Sequence, residues 1–164
     1  MSASEETGGD MTPAIDRAKK ARISYTVHEY RHDPSAESYG REAADKLGVD
    51  PARVFKTLVA AAGDGLVVAV VPVMQRLDLK LLARALGVKK AAMADPALAE
   101  RVTGYVVGGL SPLGQKKRLP TVIDASAEAQ QTIFVSAGRR GVDIELSPKD
   151  LAALTGATFA PVAG

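Results

Sequence analysis

The sequence predicts an α/β domain built around one mixed, strongly curved sheet, and three observations carry that expectation. Strand-like runs of β-branched residues are interrupted by short amphipathic helical stretches. Their order lacks the regular strand–helix–strand alternation of a doubly wound parallel fold. Two of the runs are joined by the turn Gly63-Asp64-Gly65, which demands antiparallel pairing. With 164 residues, the chain is in the size range of one domain and can bury a core without disulfides or metals.

The leading segment MSASEETGGD has little apolar content and two consecutive glycines, so residues 1–10 read as a disordered leader and the domain is expected over 11–164. Thr12 before Pro13 is a helix start, because a threonine hydroxyl caps free amides and proline suits the first turn; Ala14, Ile15, Ala18 and Ala21 then share one face. Residues 25–30, YTVHEY, have the β-branched and aromatic character of a strand, and RHDPSAES after them reads as a loop. A second helix is expected over 39–47, ending at Gly48. The runs 54–62 and 66–73 form the hairpin. Leu79, Leu82, Ala83 and Leu86 have the spacing of an amphipathic helix closed by Gly87, and Asp95 with Pro96 opens another short one. From Gly104 the stretch YVVGGLSPLGQKKRLP holds two prolines and, counting Gly104, four glycines, and implies a long ordered loop lying on a sheet; the short apolar run 121–123 follows it. Residues 132–135 and 142–146 give two more strands, and Ser147, Pro148 and Asp150 cap a final helix that stops at Gly156.

Composition excludes several functional classes. Hydrophobic residues make up 46% and charged residues 24%, an ordinary globular balance, and the longest apolar run, 66–71, is far too short to cross a membrane. No secretory signal can be assembled from a leading tail that carries three acids, which places the protein in the cytoplasm. The lack of cysteine removes disulfide frameworks, thiolate metal sites and a cysteine nucleophile. His28 and His32 have no third ligand at a recognisable spacing, so both are read as structural and neither a metal nor another cofactor is expected. Formal net charge is +2, but from Met11 onward 21 basic residues face 16 acidic ones, an excess that permits contact with phosphates without demanding it.

Several residues are candidates for chemistry. Lys56 shares a strand face with Val54 and Leu58 by period-two geometry. It is either an edge-strand lysine that discourages aggregation or a cation at the mouth of a pocket, where low dielectric strengthens its hold on a phosphate or developing oxyanion. Gly108 and Gly109 either make a simple turn or let backbone amides approach a ligand. Lys116, Lys117 and Arg118 are either a solvated basic stretch or a grip on a nucleic-acid backbone. Asp143, preceded by Arg139 and Arg140, faces opposite to Val142 and Ile144, toward solvent or a polar site. Tyr30 either packs or offers its hydroxyl. No nucleophile elbow and no Ser-His-Asp context are present, so an enzyme built on this chain would not use a side-chain nucleophile.

Taken together, MTPAID, HEYRHDP, VFKTLV, MADP, TGYVVGGLSPLGQKKRLPTVID and TIFVSAGRRGVDIEL resemble one family, the YbaK/EbsC family, from Met11 nearly to the C-terminus and closest to its YbaK branch. The resemblance implies a barrel-like mixed sheet with flanking helices, as in the editing domain of bacterial prolyl-tRNA synthetases. It further implies an editing deacylase acting in trans on Cys-tRNA(Pro), with prolyl-tRNA synthetase as partner. Lys56 maps to the family's essential lysine, Tyr30 and Asp143 to its pocket tyrosine and aspartate, and Gly108 and Gly109 to the glycine pair facing the substrate ester. Thr57 and Ser136 match further pocket positions. Leu110 and Ala137 stand where isoleucine and glycine are commoner. The chemistry implied is attack by the substrate's own thiol on its ester carbonyl. Lys56 would then hold the terminal phosphate or ribose, the glycine pair the oxyanion, and Tyr30 with Asp143 the adenosine or aminoacyl group. Two rivals remain: a water-using deacylase of another mischarged tRNA, and a binding module without catalysis.

Overall fold

The structure, a computed structural model, describes residues 11–164; the leader expected over 1–10 lies outside them. In chain order the elements are α1 (Pro13–Ala21), β1 (Tyr25–Glu29), α2 (Tyr39–Leu47), β2 (Phe55–Ala62), β3 (Gly65–Pro72), α3 (Leu79–Leu86), β4 (Ala91–Met93), α4 (Pro96–Thr103), β5 (Thr121–Asp124), β6 (Ile133–Arg139), β7 (Val142–Leu146), α5 (Pro148–Thr155) and β8 (Thr158–Ala160). Short 3-10 turns at Pro51–Arg53 and Ala125–Ala129 lead into and out of strands. The helix starts are where side-chain oxygens satisfy free amides: Thr12, Ser38, Asp78, Asp95 and Ser147 each accept from an amide of the first turn.

The mixed α/β character expected from the sequence is present, but the strands form two sheets and do not close into a barrel. One is antiparallel with the order β1-β7-β6; the other is mixed, β4-β2-β3-β5-β8, with β3-β5 and β5-β8 parallel. The sheets meet at one backbone bridge, Val54 to Phe134. Closure would need the free edge of β2, and β4 takes that edge at Ala60, Ala61 and Ala62, so only the Val54 end is left for β6.

The principal core lies between the sheets. Phe55, Val59, Val68, Val70 and Ile123 of the larger sheet meet Val27, Ile133, Val135, Ile144 and Leu146 of the smaller one, with Ala14, Ile15 and Ala18 of α1 at one side. The opposite face of the larger sheet, Ala60, Ala62, Val67, Ala69, Val71 and Val122, is covered by Leu82 of α3 and by Val162. Burial on both faces explains why residues 67–71 read as an uninterrupted apolar run. A third cluster docks α2 through Ala43 and Ala44 onto Val54, Val73 and Phe134. Each large side chain buried in this way contributes roughly 1.5–3 kcal/mol.

Two irregular segments are tied down by polar contacts. In the loop 104–120, Leu110, Ser111 and Leu113 are buried, the Tyr105 hydroxyl donates to Leu113 O at 2.6 Å, and the amides of Lys116 and Lys117 donate to Thr103 O and Val102 O. This is the long ordered loop expected there. The segment 30–38 is held by buried Glu42 of α2, which accepts from the Asp33 amide at 2.6 Å, pairs with His32 Nδ1 at 2.8 Å and meets Lys46 Nζ at 3.0 Å. Burial alone would raise the Glu42 pKa, yet the Asp33 amide, His32 and Lys46 together hold it below the usual glutamate value. A folded-state pKa below the unfolded one means stability that is present above the unfolded value and lost as pH falls through the folded one. Glu42→Gln is therefore expected to lower the melting temperature at neutral pH by several degrees, equivalent to about 1–3 kcal/mol. In thermal unfolding measured across pH, that deficit should shrink as acid titrates the wild-type carboxylate; a deficit constant with pH would contradict the role given to its charge.

Candidate functional site

Next to the bridge that joins the sheets lies a cavity of about 240 Å³, lined by Tyr30, the start of α2 (Ser38, Tyr39, Gly40, Ala43), the start of β2 (Val54, Phe55, Lys56, Thr57, Leu58), Val107, Gly108 and Leu110 of the long loop, and Ser136, Arg139, Arg140 and Asp143 of the β6-β7 hairpin. It forms where β2 turns away from the smaller sheet, so its walls come from strand ends and loops held by a rigid frame. Its volume is at the small end for ligand clefts.

Lys56 lines this cavity and is only partly exposed. β4 covers β2 only at Ala60, Ala61 and Ala62, so over Lys56 the strand pairs with β3 alone, at Val71; what sets Lys56 apart from a plain edge lysine is that it lines the cavity. Burial, and then the charge of Arg76, lower the pKa of its ammonium. Asp143 is buried, 5% exposed, on the face of β7 that carries it against His28 and Ser136 in the strand registers. The polar-site alternative is thus the one realised. Burial raises its pKa to about 7. Tyr30 is half-buried, and burial followed by Asp143 push its phenol up to about 12, so its hydroxyl is a neutral donor at physiological pH.

Thr57 is 7% exposed and its Oγ1 has no hydrogen-bond partner among the described residues, although it lines the cavity. A buried hydroxyl without a partner is costly, and this one borders the cavity. Ser136 Oγ accepts from the Gly138 amide at 3.1 Å.

The two glycines part company. Gly108 lines the cavity at φ +92°, where a Cβ would lie 2.5 Å from Tyr39 Cε2 and 2.7 Å from Arg140 Nε. Gly109 is buried behind it: a Cβ there would come within 3.0 Å of Arg139 Cα, and its amide donates to Val106 O at 2.9 Å. The Gly109 amide is therefore engaged inside the turn, and Gly108 is the one that meets the cavity. Lys116, Lys117 and Arg118 are exposed and do not line the cavity; Arg118 borders a separate hollow with Arg17 and Thr155.

Both histidines are paired and neither lines the cavity: His32 with Glu42, and His28 Nε2 with Glu145 Oε1 at 2.9 Å, where Glu145 also accepts from Thr132 and Arg53. No imidazole accompanies the cavity's hydroxyls. The sequence reading did not find Tyr39, whose ring is stacked under the Arg140 guanidinium at 4.3 Å; two residues this far apart in the chain carry no local signal of meeting.

The two-sheet α/β domain, with a cavity lined by hydroxyls, a lysine and a buried carboxyl, has the architecture of an enzyme domain. More specifically, the chain belongs to the aminoacyl-tRNA editing domain family of editing deacylases, whose family model matches residues 33–154. It is 41% identical over 155 residues to a protein of Enterococcus faecalis provisionally named Cys-tRNA(Pro)/Cys-tRNA(Cys) deacylase EbsC, covering 92% of both chains. It is also 29% identical to a proline–tRNA ligase of Thermoanaerobacter over 106 residues, which are 63% of this chain and 19% of that enzyme. A crystal structure of a protein provisionally described as a trans-editing enzyme for prolyl-tRNA synthetase superposes with a TM-score of 0.80 at 26% identity, covering 94% of this chain and 99% of the other. Among the described residues no helix is long and apolar enough to cross a membrane.

A carboxyl whose folded pKa lies above its unfolded one weakens the fold as pH rises from the unfolded value to the folded one. Asp143→Asn is therefore expected to gain stability over the wild type between about pH 4 and pH 7 and to hold that gain above. Melting temperatures of the two proteins across this range test it, and a difference that does not change with pH would refute the buried, uncompensated state of the carboxyl.

Proposed function

We propose that this protein removes cysteine from Cys-tRNA(Pro), acting in trans, through attack by the substrate's own thiol. The observation that carries the reading is the cavity itself: it gathers Lys56, Thr57, Tyr30, Ser136, Asp143 and Gly108 and contains neither cysteine nor imidazole. Such a site suits a reaction in which the protein supplies geometry and charge and the substrate supplies the nucleophile, as the family resemblance implies. The cysteinyl sulfur bonds to the ester carbonyl carbon, the bond from that carbon to the ribose oxygen breaks, and the thiol proton ends on the ribose oxygen, giving free tRNA and cysteine thiolactone. Holding the thiol against the carbonyl is worth roughly 7–11 kcal/mol in favourable intramolecular cases.

Within this reading Lys56 binds the terminal phosphate or ribose, and the Gly108 amide faces the oxyanion, with Gly109 behind it. Thr57 and Ser136 offer hydroxyls to the aminoacyl ester. Asp143, a buried carboxyl in the cavity wall, is matched to the substrate's α-ammonium, and Tyr30 closes the same corner. This pairing argues against activated water: once the ammonium binds, the pKa of Asp143 falls and it becomes a weak base. Lys116, Lys117 and Arg118 lie outside the cavity and would meet the tRNA backbone beyond its terminus. Prolyl-tRNA synthetase, whose editing domain is related to this chain, is the partner that would supply further tRNA contacts, and the reaction belongs to the cytoplasm.

Single-turnover deacylation of Cys-tRNA(Pro), Ala-tRNA(Pro), Ser-tRNA(Pro) and an S-methylcysteinyl-tRNA(Pro) tests the proposal. Only the free thiol substrate should be cleaved rapidly, and Lys56→Ala should slow that cleavage by about 10²–10³-fold, the usual loss when one electrostatic group is removed from a reacting centre. Comparable cleavage of the S-methylated substrate would move the mechanism to water, and no cleavage of any substrate would leave a binding module.

A further inference from the structure

We infer that Arg140, Glu100 and Tyr39 form a clamp that fixes the orientation of the Val107–Gly108 peptide, and that Arg140 is a positioning residue for the Gly108 amide; this rests on the functional reading above. Four contacts converge on the turn at residues 106–109. The Val107 amide donates to Glu100 Oε2 of α4 at 2.8 Å, and Val107 O accepts from Arg140 Nη2 at 2.7 Å. The Gly109 amide donates to Val106 O at 2.9 Å, and the Arg140 guanidinium is stacked on the Tyr39 ring at 4.3 Å. The amides on either side of Gly108 are thus spent, while no backbone carbonyl among the described residues takes the Gly108 amide.

Covalent geometry turns these contacts into a statement about Gly108. Val107 C=O and Gly108 N–H belong to one planar trans peptide and point in opposite directions, so a donor fixed on the oxygen fixes the direction of the N–H. Arg140 does this with a charged donor, which also draws electron density toward the carbonyl and strengthens the N–H as a donor by roughly 10–30%. Tyr39 holds the guanidinium from the other side, and His32 packs on Tyr39 with ring centroids 5.5 Å apart.

Both glycines serve this arrangement. A side chain at Gly108 would collide with the Tyr39 ring and with Arg140, and one at Gly109 would lift the turn off the backbone of Arg139. The pair therefore lets the clamp close as much as it opens the backbone to a ligand. Val107 is exposed and α4 lies outside the cavity lining, so Glu100 acts on the site only through this peptide.

The test uses the intact protein with Arg140→Ala, Arg140→Lys and Glu100→Gln. Two readouts are needed: the Gly108 amide cross-peak in ¹⁵N–¹H spectra of the free protein, and single-turnover deacylation of Cys-tRNA(Pro) as a function of enzyme concentration. Arg140→Ala should displace the Gly108 cross-peak and lower the rate at saturation about 10- to 100-fold, with the half-saturating concentration nearly unchanged, the signature of a lost transition-state contact. Arg140→Lys, which keeps the charge and loses the planar fork, should recover only part of that rate. Glu100→Gln should move the same cross-peak with a smaller loss of rate. A change confined to the half-saturating concentration would make Arg140 a tRNA phosphate contact and overturn the inference; so would an unmoved Gly108 cross-peak in Arg140→Ala. Inactivity of the wild type toward Cys-tRNA(Pro) would defeat the functional reading, and the clamp would still stand or fall by the Gly108 cross-peak.

Discussion

Just before β2 begins, at Val54, the backbone is shared between two sheets: Val54 O accepts from the Val73 amide on one side, and Val54 bridges to Phe134 on the other. The positions of the cavity's strand and α2 residues follow from this shared point. Lys56 and Thr57 come directly after it on β2, Ser136 follows Phe134 on β6, and Asp143 is the register partner of Ser136 on β7. The third apolar cluster packs α2 on Val54, Val73 and Phe134, and that packing brings Tyr39 and Gly40 to the rim. A Cβ at Gly40 would lie 2.3 Å from Val73 Cγ1, so the helix sits as close to the bridge as its backbone allows. The cavity is what remains where two sheets share one bridge and then diverge.

The electrostatics of that space follow from the same geometry. In the free protein, burial works against the charged form of Asp143 and of Lys56 alike. For the carboxyl the cause is loss of water, and for the lysine it is loss of water followed by the charge of Arg76. Elsewhere the protein does pair its charges: Glu42 with His32 and Lys46, Glu145 with His28 and Arg53. Leaving a carboxyl, a lysine and the Thr57 hydroxyl unmatched in one place is the kind of local inconsistency expected at a functional site, where the ligand completes what the fold leaves open.

How much of this the sequence foretold depended on how local each signal was. Helix starts at Thr12, Ser147 and Asp95 were legible because a cap and a proline act within one turn, and the β2-β3 hairpin because its turn lies between its strands. The three-residue strands β4 and β8 were not, since neither run has enough residues for a pattern and both exist through pairing with β2 and β5. The same pairing of β4 divides the expected single sheet in two. For Lys56 and Asp143, period-two geometry gave the face of the strand but left its environment undecided, and only the tertiary position of β2 and β7 decided it. The resemblance marked Gly108 and Gly109 as one unit, while the structure gives them different work, because the backbone of Arg139 fills the space on one of them.

On the proposed reading, the poverty of the site in catalytic groups is itself the source of selectivity. To a pocket that reads only fit, the side chains of cysteine, alanine and proline differ mainly in size and shape, and such differences are distinguished by only about 1–3 kcal/mol, or 10- to 200-fold. A site with a strong base beside a bound water would therefore hydrolyse correct Pro-tRNA(Pro) at an appreciable fraction of the rate for the mischarged one. Here the histidines are committed to Glu42 and Glu145, the hydroxyls lack a base, and the carboxyl loses basicity when the substrate's ammonium arrives. Cleavage then depends on a nucleophile that cysteine carries and that proline and alanine lack, so discrimination rests on the presence or absence of a reaction path and no longer on fit. Shape is left with the lesser task of holding thiol, carbonyl and the Gly108 amide in one line, and the clamp on the Val107–Gly108 peptide is suited to that task.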